Sequence, residues 1–355
     1  MKRKPKLLLI WHEAGNPIYF DRFLHLSEHY DLTVFGFSKF QGVDFSTPTN
    51  SNKFRLILDK PWLSGHWLTV FSFGLLRCLF RNKFDYIYIH EEPHSVISFF
   101  STLLSSNAKT IIDAAIINKK LYFKGYNPFE KYVYKNIDAI FYRNNDVKQV
   151  LRERGGKEDS LVSAIGNGVS TTIFNSLSKP PKTAYKKLTV GFAGRIWKWK
   201  GLELLISLKK QCDINIKVCG PVVDEWLKKD LLDNGIEVLE KLNGQDLTLF
   251  YQSLDLFILP SLEAPGWSEQ FGRVVVESVF SGTPALGSTT GFIPNLVGDD
   301  GKFKSGCDKQ LIELVLKFSS EAKREQLYSE QYARLSNEYS WAGIAAKVKY
   351  HLERI

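Results

Sequence analysis

From Pro260 to Gly291 the chain reads P-S-L-E-A-P-G-W-S-E-Q-F-G-R-V-V-V-E-S-V-F-S-G-T-P-A-L-G-S-T-T-G. An apolar run, Leu256-Phe257-Ile258-Leu259, leads into it as a strand, and a helix is expected to begin near Arg273. Glu269 then falls in the loop before that helix, and Glu277, eight positions on, falls on its first turns. Helix N-termini collect anions through unpaired N–H groups and the helix dipole. Two carboxylates beside such a site would not grip phosphate. They suit hydrogen bonds from hydroxyl-rich parts of a ligand, such as ribose and sugar. Phosphate donors next to hydroxyl acceptors point to a nucleotide-sugar site.

Outward from this stretch, short apolar runs alternate with longer helical patterns. Strands are expected at 6–11, 31–37, 54–58, 86–90, 110–114, 139–142 and 161–165, with helices at 19–28, 68–80, 95–104 and 127–135. Continuous apolar runs suit strands buried on both faces of a parallel sheet, and the alternation is that of βαβ units. The polar segment Ser176 to Thr183, with Pro180 and Pro181, reads as a linker. The alternation restarts after it at 188–193, 214–219, 236–239, 256–259 and 285–287, and the end of the chain from Trp341 to Ile355 is helical. The expected fold class is α/β, with two Rossmann-like doubly wound domains facing a cleft. Their bounds are 1–175 and 187–337, joined by a linker at 176–186 and followed by a terminal helical segment at 338–355. Open α/β sheets bind ligands at the carboxyl ends of their strands.

The pair Glu269 and Glu277 resembles the E-x7-E signature of retaining glycosyltransferases with the GT-B fold, family 4 (glycosyl transferases group 1). Gly191-Phe-Ala-Gly-Arg195, then Lys200-Gly201, is similar to that family's G-R-x(n)-K-G loop. Gly166-Asn-Gly-Val169, followed by Phe174, is similar to its N-G-V-D-x(n)-F segment. The ordered set covers most of residues 160–300. The resemblance implies a donor site in the second domain, an acceptor site in the first, and a last helix that crosses back onto the first. It assigns the donor diphosphate to Arg195 and Lys200, the ribose to Glu277, and the transferred sugar to Glu269, near its 3- and 4-hydroxyls. Backbone N–H groups around Gln270, Phe271 and Gly272 would hold sugar and phosphate oxygens.

The residue chemistry agrees. Gly194 lets backbone approach a ligand closely, Arg195 can grip a diphosphate bidentately, and Lys200 adds a point charge. Neutralising a leaving diphosphate in this way needs no metal and no other cofactor. Glu263 also follows Pro260-Ser261 and rivals Glu269, but no Phe-Gly follows it. Where the family reads G-G-x-P-E the chain has Gly291-Phe-Ile-Pro-Asn295, at the edge of the donor site, which leaves the sugar open. Leu239 to Leu242 would frame the base by position.

On the acceptor side, the loop His12-Glu-Ala-Gly15-Asn16 follows the first strand, with one glycine where the family often has two. Relatives place a His or Asp after the fifth strand, and Asp113 is the titratable candidate there; a cap for the next helix is the other reading of it. His90-Glu-Glu-Pro-His94 matches H-E-x-x-H, which binds zinc only when both His share one helical face. Pro93 disfavours that helix, so the segment reads as a loop in which Glu91 or His94 touches the acceptor.

The 355 residues, 44% of them apolar, are enough for two domains with cores. Four scattered cysteines fit reduced thiols in the cytoplasm rather than a disulfide frame or zinc site. No signal peptide is read at the start, and the longest apolar stretch, Trp67 to Phe80, contains Arg77 and is too short to span a bilayer. The net charge of +9 fits an anionic substrate or membrane surface. No RNA-binding aromatic motif or zinc knuckle accompanies it, which sets nucleic acid aside. Trp62, Trp67, Phe71, Phe73 and Phe80 lie among Arg77, Arg81 and Lys83, the mixture an interfacial surface needs; a core helix with a charged end is the other reading. The sequence therefore points to a retaining transferase moving a sugar from a nucleotide sugar to a glycan or lipid-linked acceptor. A nucleotide-sugar epimerase of the same architecture and a non-catalytic binder of sugar nucleotides are the alternatives.

Overall fold

The computed structural model describes residues 3–40, 43–45, 52–62, 68–105, 107–115, 127–177, 187–264 and 267–355. The chain divides into two compact units, Met1–Gly166 with Trp341–Ile355, and Asn167–Ser340. Most of the expected linker, 178–186, lies outside the described residues, as does Trp67.

In the first unit, β1 (Lys6–Ile10), β2 (Asp31–Phe37), β5 (Arg55–Asp59), β6 (Tyr86–Ile89), β7 (Lys109–Ala114), β8 (Ala139–Tyr142) and β9 (Leu161–Ala164) form a parallel sheet. A two-residue hairpin, β3 (Lys39–Phe40) with β4 (Val43–Asp44), lies outside that sheet and leaves no apolar run to read. The seven strands are ordered β5-β2-β1-β6-β7-β8-β9. Leu7, Leu8, Leu9 and Ile10 are all buried, as a central strand covered on both faces requires. The helix expected from Leu68 starts instead at Phe73, because the Ser72 hydroxyl accepts the Leu75 N–H at 3.2 Å and caps it there. Ser95 and Asn144 cap the helices Val96–Leu103 and Asn145–Glu153 in the same way. The closing helix, Trp341–Leu352, packs on Phe20–His29 within this unit.

In the second unit, β10 (Thr189–Ala193), β11 (Asn215–Cys219), β12 (Glu237–Leu239), β13 (Leu256–Leu259), β14 (Ala285–Ser288) and β15 (Lys302–Phe303) also pair in parallel. Their order is β12-β11-β10-β13-β14-β15. The direction of winding reverses between β10 and β13 here, and between β1 and β6 in the first unit. Open sheets bind ligands outside the strand ends at such a reversal. Among the described residues no helix is long and apolar enough to cross a membrane.

Candidate functional site

The loops that leave β10 and β13 flank the reversal in the second unit. They are the two stretches that the sequence singles out, 194–200 and 260–272. One ion pair joins them: Lys200 Nζ lies 2.5 Å from Glu269 Oε2, and the same oxygen accepts the Ser261 hydroxyl at 3.2 Å. Only 12% and 16% of these two side chains is exposed, so each charge depends on the other. The approach requires glycine at 201, where φ is +68° and a Cβ would lie 2.1 Å from the Pro260 carbonyl oxygen. Gly291 closes on Glu269 from the other side. Its φ is +55°, a Cβ there would meet the Glu269 carbonyl oxygen at 2.0 Å, and the next N–H, of Phe292, donates to that oxygen at 3.1 Å. Glu269 is thus held by its side chain and by its backbone. Gln270 is half-buried, Glu263 is exposed, and Arg195 is exposed.

The helix Arg273–Phe280 starts at Gly272. Phe271, just before it, is buried between Phe292 at 5.5 Å and Tyr339 at 5.1 Å, centroid to centroid. One turn into the helix, Glu277 is 2% exposed. Its Oε1 lies 2.7 Å from Arg273 Nε, and its Oε2 accepts the Tyr251 hydroxyl at 3.0 Å. Burial, then Glu277, raises the Tyr251 phenol well above its usual range, which keeps it a donor. Burial and then Glu277 push the thiol of Cys219, at the end of β11, to about 12. A carboxylate has about four acceptor positions, so these two partners do not saturate Glu277. Glu277→Ala is expected to weaken nucleotide binding. It should also cost about 1–3 kcal/mol of stability, because the Tyr251 hydroxyl is left buried without its acceptor. Calorimetric titration with nucleotide and urea unfolding of the same variant check the two effects separately.

Next to the β10 loop, Ile196 N donates to Pro221 O at 2.9 Å. There Gly220, Val222, Val238, Leu239, Glu240 and Lys241 line a cavity of about 300 Å3. It takes in Leu239, part of the segment expected to frame a base.

In the first unit the reversal falls between β1 and β6, and the residues after those strands meet there. Glu91 Oε1 accepts the His12 N–H at 2.8 Å and lies 2.7 Å from His12 Nδ1. Burial works against charging His12, but the neighbouring Glu91, with Glu13, prevails and raises its pKa. Gly15 is buried, with no room for a side chain: a Cβ would lie 2.4 Å from Phe45 Cβ. Asn16 turns its side-chain oxygen to the Ile18 N–H at 3.2 Å, capping a short turn. His94 is buried. Residues 90–94 form no helix, so the H-E-x-x-H spacing does not place both imidazoles on one helical face. Glu92 Oε1 accepts the Ala115 N–H instead, at 2.9 Å.

Asp113 ends up in a buried charge cluster rather than at a helix cap. Its Oδ1 lies 2.8 Å from Arg143 Nη2, and its Oδ2 accepts Tyr88 OH at 2.8 Å and lies 2.8 Å from His90 Nδ1. Arg22 Nη2 is 3.4 Å from the same Oδ2, and its guanidinium is stacked by Trp11, Tyr88 and Trp341. Burial alone would raise the Asp113 pKa, but Arg143, His90 and Arg22 hold it below the usual range. For His90 burial prevails, and its pKa falls to about 3.

Residues 174–335, nearly all of the second unit, match the family described as glycosyl transferases group 1. Over that segment the chain resembles this family. The chain is 31% identical over 113 residues to a GDP-mannose-dependent alpha-mannosyltransferase of Corynebacterium glutamicum, covering 32% of this chain and 26% of that protein. An uncharacterised 42.6 kDa protein of the cps region of Klebsiella pneumoniae is 29% identical over 170 residues, 47% of this chain and 42% of that protein. The chain thus spans less than half the length of these curated relatives. Two solved structures share its fold from end to end. Sucrose-phosphate synthase from Thermosynechococcus elongatus has a TM-score of 0.73 at 14% identity, covering 99% of each chain. Anabaena HepE in complex with UDP and glucose has a TM-score of 0.68 at 16% identity, covering 99% of this chain and all of that one. The fold is that of the GT-B glycosyltransferases.

The sequence did not reveal Tyr251 or Ser261 as partners of the two glutamates. Tyr251 sits in the helix Gly244–Gln252 among ordinary core residues. Its only signal is a hydroxyl on a face that must be buried.

Proposed function

We propose that the chain is a retaining glycosyltransferase that moves a hexose from a nucleotide-diphosphate sugar to a glycan or lipid-linked acceptor. The observation that carries this reading is the pairing of Lys200 with Glu269 at the reversal point, eight positions before the Glu277 that pairs with Tyr251. A cation for phosphate stands on the loop after β10, and two carboxylates for hydroxyls stand on the loop after β13 and the helix that follows it. Arg195 and Lys200 would stabilise charge on the departing diphosphate as the sugar–phosphate bond breaks. The acceptor oxygen would bond to the same anomeric carbon from the same face, and its proton would pass to the leaving phosphate oxygen. Glu269 would hold the sugar hydroxyls as charge develops beside them, and the N–H groups from Gln270 to Gly272 would hold sugar and phosphate oxygens. The relative named for GDP-mannose and the neighbour solved with UDP and glucose support a nucleotide donor. The role would lie in cell-surface polysaccharide or glycolipid synthesis.

On the acceptor side, the turns that carry Gly15, Asn16 and His94 would shape the subsite, with the His12–Glu91 pair between them. Asp113 would act at one remove, by holding Arg22, His90 and Arg143. A thermal-shift screen over UDP- and GDP-sugars, followed by product analysis with candidate acceptors, tests the whole reading. A donor should raise the melting temperature by mass action. Epimerised donor without acceptor would replace the reading with the epimerase one, and binding without turnover would leave a binder. Because protein cations face the diphosphate, transfer should survive chelator treatment.

The reading includes a peripheral site on the cytoplasmic face of a membrane. Trp62, Phe73 and Phe80 are 65%, 61% and 72% exposed, beside exposed Arg77, Arg81 and Lys83, while Phe71 is buried. Trp62 and Phe73 are in ring contact at 5.2 Å, so two of the exposed aromatics adjoin one another. Each basic residue near an anionic surface contributes about 1 kcal/mol. Co-sedimentation should need anionic vesicles and weaken with salt. Equal, negligible pelleting with neutral and anionic vesicles would remove the membrane from the account.

A further inference from the structure

The two cations of the second unit's site both rest on tryptophan rings. Arg195 Cζ lies 4.9 Å from the centroid of Trp197, and Lys200 Nζ lies 5.3 Å from the centroid of Trp267. The two rings touch edge to face at 5.3 Å, with an interplanar angle of 83°. A continuous unit therefore runs from Arg195 through Trp197 and Trp267 to Lys200, and from Lys200 to Glu269. It links the loop after β10 to the loop after β13 by side chains alone. Both rings are half-buried.

We infer that Trp197 and Trp267 are positioning residues of the diphosphate subsite, so that anion affinity there depends on two uncharged rings. The inference rests on the nucleotide-sugar reading for the identity of the ligand, but its chemistry is that of a diphosphate alone. A lysine on a four-carbon stem, or an exposed arginine, loses rotamer freedom when it grips an anion. A cation already held over an indole face, by its attraction to the ring quadrupole, has lost much of that freedom beforehand. The edge-to-face contact fixes one ring against the other. Lys200 is further confined because Glu269 holds its ammonium from the side. Removing either ring leaves the charges in place and returns their motion.

The test is calorimetric titration of the full chain, its Trp197→Leu and Trp267→Leu variants, and the matching Phe variants. The probes are inorganic pyrophosphate, UDP, GDP and the unphosphorylated nucleosides, and thermal melts check that each variant is folded. Each Leu variant should bind pyrophosphate and the better nucleoside diphosphate about three- to tenfold more weakly, with nucleoside binding unchanged and partial recovery in the Phe variants. Unchanged pyrophosphate affinity in both Leu variants would overturn the inference. So would an equal loss for the nucleosides, which would mark a general structural role. A loss confined to whole nucleotide sugars, with diphosphates unaffected, would overturn it too, by placing the rings against the sugar. If the wild type binds pyrophosphate with this dependence yet binds no nucleotide sugar, the proposed function fails while the inference stands.

Discussion

Asp113→Ala is expected to destabilise the chain by about 3–5 kcal/mol, the cost of breaking a buried ion pair and leaving its partners uncompensated. The carboxylate is 3% exposed and faces Arg22, Arg143, His90 and Tyr88 together. Without it two guanidinium groups remain buried side by side. The same two arginines also bind the ends of the first unit's chain segments. Arg143 Nη1 donates to the carbonyl of Gly166, and the Arg22 guanidinium lies 5.6 Å from the ring of Trp341. Loss of Asp113 therefore loosens the unit at both segments. Urea unfolding at pH 7 measures the effect, and a loss below about 1 kcal/mol would show that the cluster is relieved by water or rearrangement.

The cluster also carries a pH signature. The folded His90 pKa, about 3, is below the 6.5 of the free group. Between these values the unfolded chain takes up a proton that the folded chain refuses, so this group's contribution to stability falls as pH drops from about 6.5 towards 3. His12, with its raised pKa, works in the opposite sense: its contribution is full below 6.5 and is lost as pH rises through the folded value. A His90→Gln variant should therefore lose less stability than the wild type between pH 7 and pH 5. Parallel curves for the two proteins would contradict the His90 assignment.

Glu269→Ala is expected to lower the rate of sugar transfer by about 10^2–10^3, with a smaller change in nucleotide affinity. The group would contact hydroxyls next to the reacting carbon, where interactions strengthen in the transition state. The variant also frees Lys200, whose ammonium lies 2.5 Å from the carboxylate. A released Lys200 can follow the diphosphate, so affinity for a nucleoside diphosphate should hold steady or rise while turnover falls. Glu269→Gln keeps a hydrogen-bonding group without the charge and should lie between. Glu263→Ala, at an exposed position, should resemble the wild type. A normal rate in Glu269→Ala with a large loss in Glu263→Ala would move the role to Glu263.

Much of the architecture was legible along the chain. β1 and β13 announce themselves because strands covered on both faces must be apolar at every position. Helix starts were legible where a capping side chain marks them, and misplaced where apolar residues precede the cap, as at Ser72. The stretch from Pro260 to Gly291 displayed the loop, the helix and both glutamates, because the E-x7-E spacing is a local property. The tryptophans at 197 and 267 were visible as residues but not as a contacting pair.

Partnership was not legible. Lys200 meets Glu269 across 69 positions, Tyr251 meets Glu277 across 26, and Arg22 meets Asp113 across 91. Periods of 2 and 3.6 residues record only which face of an element is buried. Which loops become neighbours depends on strand order, and that is decided when β10 lies against β13, and β6 lies between β1 and β7. The sequence by itself determined the elements, the motif loops and the kind of chemistry they can hold. Only the tertiary structure decided which charges share a site, because a buried charge takes its partner from whatever the sheet order brings within reach.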